Sequence, residues 1–74
     1  MNLYFEHSDG TYSLVKSNVD SFETGLGLIE LDVRKRNPDF RIYYFNITDM
    51  PDGGKRFDVG SHTEFYILTP NTLL

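Results

Sequence analysis

The residues best equipped for chemistry are the two histidines and the acids near them. His62-Thr63-Glu64 has the H-x-E spacing of zinc deaminases, but that site also needs a P-C-x-x-C segment, and the chain has no cysteine. Asp58, His62 and Glu64 could offer a divalent ion oxygen and imidazole donors around one hairpin tip. Two solvated acids and a polar turn histidine are the plainer expectation, with no metal bound. His7 could serve as a general base, yet no spacing nominates a nucleophile or acid beside it. Gly25-Leu26-Gly27 and Gly53-Gly54 lack the third glycine or lysine, and the strand-to-helix setting, of a phosphate-binding loop. Without cysteine there is also no thiolate nucleophile and no disulfide. No catalytic residue and no cofactor are therefore expected, and the chain is not expected to be an enzyme.

One dense basic cluster stands out, Arg34-Lys35-Arg36, with Arg41 nearby. Arg34, Lys35, Arg36 and Arg41 could meet phosphates, which makes a nucleic-acid-associated protein the alternative reading. Against it, a net charge of −4 repels phosphate backbones, and bases at a helix C-terminus are explained by the helix dipole. The aromatic residues Tyr43, Tyr44 and Phe45 could stack bases, but no RNP-like motif accompanies them.

The elements that must position these groups follow from periodicity. Leu3, Phe5 and His7 alternate with polar neighbours, Asp9-Gly10 supplies a turn, and Tyr12 and Leu14 resume the alternation, so a hairpin is expected. A two-residue loop would pair Phe5 with Leu14 and His7 with Tyr12, and it is preferred over a three-residue loop opposing Phe5 to Ser13. Val19, Phe22, Leu26, Ile29 and Val33 recur at helical spacing, which predicts an amphipathic helix from Val19 to Arg36, capped by Asn18 and stopped by Asn37-Pro38. Gly25 and Gly27 inside it imply a close backbone approach or a bend, with an early helix end near Gly25 as the alternative. Phe40 to Ile47 is aromatic and β-branched, and is expected to be a central strand. Pro51-Asp52-Gly53-Gly54 is a turn, followed by strands at Lys55 to Val59 and Thr63 to Leu68. A loop running through His62 would pair Phe57 with Phe65 and set Asp58 opposite Glu64. A shorter Gly60-Ser61 turn would pair Phe57 with Glu64 instead.

These elements predict an α+β fold, β-β-α-β-β-β in sequence, with an antiparallel sheet of four to five strands and one amphipathic helix on one face. Residues 1–74 form one domain, with a frayed tail at 70–74. No segment has signal-peptide or membrane-span character, so a soluble, cytoplasmic, acidic protein is expected. A size of 74 residues would also suit an accessory protein of a phage or mobile element.

One helix cannot cover a central strand that is apolar on both faces, and Leu28 and Leu31 fall opposite the helix seam, away from the sheet; the plainer alternative is that sheet twist or the terminal segments cover much of the second face. The functional expectation is thus a small non-catalytic protein-interaction or regulatory module. It would self-associate or bind another protein through a tyrosine-rich sheet face (Tyr43, Phe45, Tyr66) or the Leu28/Leu31 ridge.

Overall fold

The computed structural model describes residues 1–42, 45–60 and 65–74. It contains β1 (Asn2–Glu6), β2 (Tyr12–Lys16), α1 (Phe22–Arg36), β3 (Asn46–Asp49), β4 (Lys55–Asp58) and β5 (Phe65–Thr69). The strands form one five-stranded sheet in the order β2-β1-β5-β4-β3, with every neighbouring pair antiparallel. The α+β class and the order of elements are as expected from the sequence.

Two hairpins turn through loops of the same kind. In Ser8-Asp9-Gly10 the His7 amide donates to the Thr11 carbonyl at 2.8 Å, and the Gly10 amide donates to the His7 carbonyl. In Pro51-Asp52-Gly53 the Met50 amide donates to the Gly54 carbonyl at 2.9 Å, and the Gly53 amide donates to the Met50 carbonyl. Each loop ends on a glycine in the left-handed region, Gly10 at φ 88° and Gly53 at φ 86°. In each the aspartate carboxylate accepts from the amide two residues on, Thr11 and Gly54 respectively. This three-residue geometry corrects the expected first hairpin: Tyr4 faces Leu14, Phe5 faces Ser13 and Glu6 faces Tyr12. Phe5 and Leu14 therefore lie on opposite faces of the sheet.

The helix begins three residues later than expected. Asn18 takes a left-handed φ of 56°, and Val19 pairs with Met1 through reciprocal bonds of 2.6 and 2.9 Å. Ser21 is the N-cap, its hydroxyl accepting from the Thr24 amide at 3.1 Å. The helix runs unbroken through both glycines. Gly25 is buried against Leu68, where an added Cβ would stand 3.2 Å from Cδ2, whereas nothing lies within 4 Å of the same position at Gly27. Arg34, Lys35 and Arg36 occupy the last turn as expected, where their charge complements the dipole.

One face of the sheet carries Leu3, Phe5, Phe57, Tyr66 and Leu68 against Ile29 and Val33 of the helix. Ring contacts connect this layer, with Phe5–Tyr66 centroids at 5.3 Å and Phe22–Phe57 at 5.7 Å. Burying each such side chain stabilises the fold by about 1.5–3 kcal/mol relative to exposure. The central strand is β5, in which Tyr66, Ile67, Leu68 and Thr69 are all buried. The Phe40–Ile47 expectation is corrected accordingly. Residues 40–42 are outside the sheet, β3 begins at Asn46, and it is an exposed edge strand. Phe40, Ile42 and Phe45 use their apolar surface to pack against the core rather than to form a ladder; Tyr43 and Tyr44 lie outside the described residues.

The last hairpin takes neither expected register. Phe57 pairs with Tyr66 and Asp58 with Phe65, which puts Phe57 and Tyr66 together beneath the helix. Asp58 thus does not oppose Glu64, and residues 61–64 of the connection lie outside those described.

Much of the second sheet face is covered by the chain itself, with Leu14 on the edge strand β2 left 48% exposed. Tyr4 and Ile67 are each 2% exposed, and Thr69 is fully buried. Tyr12 packs edge-on against Tyr4, and the Arg56 guanidinium lies 4.0 Å above the Phe65 ring while pairing with Glu6 at 2.8 Å. The tail closes this face, with the Leu73 amide donating to the Tyr4 hydroxyl at 3.2 Å. The Asp52 carboxylate accepts from both the Thr69 hydroxyl and the Asn71 side-chain amide, tying the β3–β4 loop to the end of β5.

Candidate functional site

Among large apolar side chains within the helix and strands, Leu31 on the outer side of α1 is more exposed (59%) than Leu14 (48%) and Ile47 (39%) on the edge strands, which makes that helix face the candidate surface. Gly25, Ile29 and Val33 are its buried positions. About 100° of rotation per residue then directs Thr24, Gly27, Leu31 and Lys35 outward, with Glu23 and Arg34 beside them. All six are exposed, and Leu31 is 59% exposed at mid-helix. Gly27 stands one turn before Leu31, and nothing lies within 4 Å of where its Cβ would be, so the helix surface beside the leucine is open.

The expected partner-binding residues separate on this geometry. Leu31 is outward as expected. Leu28 is half-buried and packs against the core, so the two-leucine ridge reduces to a single leucine beside an open glycine position. Phe45 is half-buried, its ring 6.3 Å from that of Phe57. Tyr66 is fully buried, which corrects its assignment to an outer face. Its hydroxyl donates to Asp32 Oδ2 at 2.6 Å, because the observed register turns it toward the helix. Tyr43 lies outside the described residues.

The basic cluster is also divided. Arg36 pairs with Asp32 at 2.6 Å, and its guanidinium lies 3.9 Å over the Phe5 ring. Partial burial works against its charge, but the hydrogen bond and charge of Asp32 outweigh this and raise its pKa. Arg34 and Arg41 border a cleft of about 300 Å³ between the helix end and residues 38–42, with Val33, Phe40 and Ile42 also lining it and Glu30 at its side. Arg34, Lys35 and Arg41 are exposed and form no ion pair among the described residues.

Sequence spacing gave no hint of one pairing: His7 Nε2 lies 2.6 Å from the Ser13 hydroxyl, joined across the first hairpin. A serine next to a histidine is the first half of a nucleophile–base pair. Here the histidine ring stacks edge-on against Phe5 at 4.7 Å, and neither His7 nor Ser13 borders the Arg34/Arg41 cleft. Among the described residues no group of three His, Cys, Asp or Glu side chains could hold a metal ion. His62 and Glu64 lie outside those residues, while Asp58 accepts a bond from the Gly60 amide at 2.9 Å. No described helix is long and apolar enough to cross a membrane. No protein-family model matches the chain, and no curated protein or solved structure is significantly similar to it.

Proposed function

We propose that this acidic protein is a small, non-catalytic, cytoplasmic interaction module that self-associates through the outer face of α1. The observation that carries this reading is Leu31, a large apolar side chain 59% exposed beside the side-chain-free surface at Gly27. Much of the other apolar surface is used internally, the inner sheet face under α1 and much of the outer face under Tyr12, Arg56 and the tail. The large apolar side chains exposed on the strands, Leu14 and Ile47, sit singly on the two edge strands and are less exposed than Leu31. A leucine flanked by Arg34 and Lys35, with Glu23 two turns earlier on the same side, has the layout of an apolar contact with a polar rim. Such a surface is small, so the association is weak and reversible.

Sedimentation of the wild-type chain and of Leu31→Ser from about 10 μM to about 1 mM tests the reading. A concentration-dependent increase in mass that Leu31→Ser removes is the expected result. A wild-type chain that stays monomeric over the whole range would overturn it.

The nucleic-acid reading keeps one supporting observation, the convergence of exposed Arg34 and Arg41 on a single cleft. It is weakened by the engagement of Arg36 with Asp32 and Phe5.

A further inference from the structure

We infer that the partner seated on α1 is a second copy arranged antiparallel, with Leu31 of each chain lying over Gly27 of the other and Glu23 of each facing Arg34 of the other. This rests on the self-association reading and specifies its geometry.

Glu23, Gly27, Leu31 and Arg34 follow one another at spacings of four, four and three, which places them on a single outer stripe of the helix. The stripe is complementary to its own reverse. A two-fold axis beside the midpoint of Gly27 and Leu31 exchanges those two positions, so each leucine meets the gap above the other copy's glycine. A Cβ at Gly27 would have nothing within 4 Å, so the gap is open to receive a side chain. The same operation brings the acidic first turn of one helix beside the basic last turn of the other. Within one chain Glu23 and Arg34 are roughly 16 Å apart along the axis, too far to pair with each other. Neither forms an ion pair among the described residues. A parallel arrangement would instead set Glu23 against Glu23 and Arg34 against Arg34, and like charges in register repel. The two helix dipoles also oppose favourably when antiparallel. The rim charges therefore select the orientation, while Leu31 supplies the apolar contact.

The chain has no cysteine, so introduced ones report pairing without interference. Gly27→Cys and Leu31→Cys are prepared separately and oxidised mildly, each alone and as a mixture. The expected result is a mixed disulfide forming at least about tenfold faster than either self-disulfide, because positions 27 and 31 alone come within bridging distance. Charge variants give a second readout: Glu23→Arg and Arg34→Glu each weaken self-association, and the two combined in one chain restore it. Circular dichroism melts confirm that each variant is folded. Faster Leu31→Cys self-coupling, or no mixed product from a chain that sedimentation shows to associate, overturns the antiparallel geometry and leaves the docking reading standing. A strict monomer overturns both.

Discussion

Removing the Tyr66 hydroxyl tests whether this residue belongs to the core or to a contact surface. In Tyr66→Phe the ring remains and no cavity forms, so the change removes only the contacts of the hydroxyl, the bond to Asp32 Oδ2, 2.6 Å long, together with its interaction with Arg36. A hydrogen bond to a charged group contributes about 1.5–3 kcal/mol. Asp32 retains Arg36 as a partner, also at 2.6 Å, so its carboxylate is not left orphaned and the low end applies, about 1.5–2 kcal/mol. A chain of this length has a total stability of only about 4–11 kcal/mol, and the loss corresponds to a fall in melting temperature of about 6–16 °C. The assay is urea unfolding followed by circular dichroism, on Tyr66→Phe, Asp32→Asn and the double variant. A coupling energy of about 1 kcal/mol or more is expected between the two sites. If Tyr66→Phe costs less than about 0.5 kcal/mol and the substitutions are additive, the hydroxyl does not stabilise the fold through Asp32, and the assignment of Tyr66 to the interior contact is refuted.

The two glycines at contrasting sites should respond in opposite directions to alanine. Gly27→Ala stabilises by about 0.5–1 kcal/mol through helix propensity. Gly54→Ala, where a Cβ would stand 2.4 Å from the Leu68 carbonyl oxygen, costs more than about 2 kcal/mol; chemical unfolding of both variants checks the contrast. The Thr69 hydroxyl, with the Gly54 amide and the Asn71 side chain, holds the Asp52 carboxyl below its ordinary pKa. A depressed folded-state pKa contributes stability that is present above the unfolded value of about 3.9 and is lost as pH falls through the folded value. The acid limb of a pH–stability curve below about pH 4 should therefore be shallower in Asp52→Asn than in wild type. If Arg34 and Arg41 bind nucleic acid, oligonucleotide affinity falls steeply with salt and is lost in Arg34→Ala/Arg41→Ala. The self-association reading expects no such affinity in a fluorescence titration at low salt.

Periodicity made the helix legible, because Phe22, Leu26, Ile29 and Val33 repeat on one stripe and Arg36-Asn37-Pro38 ends it. The start was misplaced because Val19 continues the apolar spacing while belonging to a different contact, its backbone pairing with Met1. The β-rich class was legible as well, but which strand lay centrally was not. Phe40–Ile47 and Phe65–Thr69 are both apolar runs free of glycine and proline, and propensity does not distinguish a ladder from a loop that packs its rings on the core. Register failed at both hairpins tested. In the first, cross-strand matching favoured Phe5 with Leu14, whereas a left-handed Gly10 and the Asp9–Thr11 bonds impose a longer loop. Of the candidate surface, Leu31 was found from helical angle alone. Leu28 and Tyr66 were misassigned because their burial depends on long-range packing, and the openness at Gly27 became meaningful only beside an exposed Leu31.

The strand order has a consequence for how the molecule comes into being. β1 and β2 can zip together as soon as both are synthesised, and so can β3 and β4, but these two ribbons share no edge until β5 is inserted between them. The final strand in chain order is thus the keystone. Until it leaves the ribosome the nascent sheet is two ribbons with no shared edge, each exposing the edge that β5 will occupy. Assembly should accordingly be completed in one late step, without a stable half-built sheet.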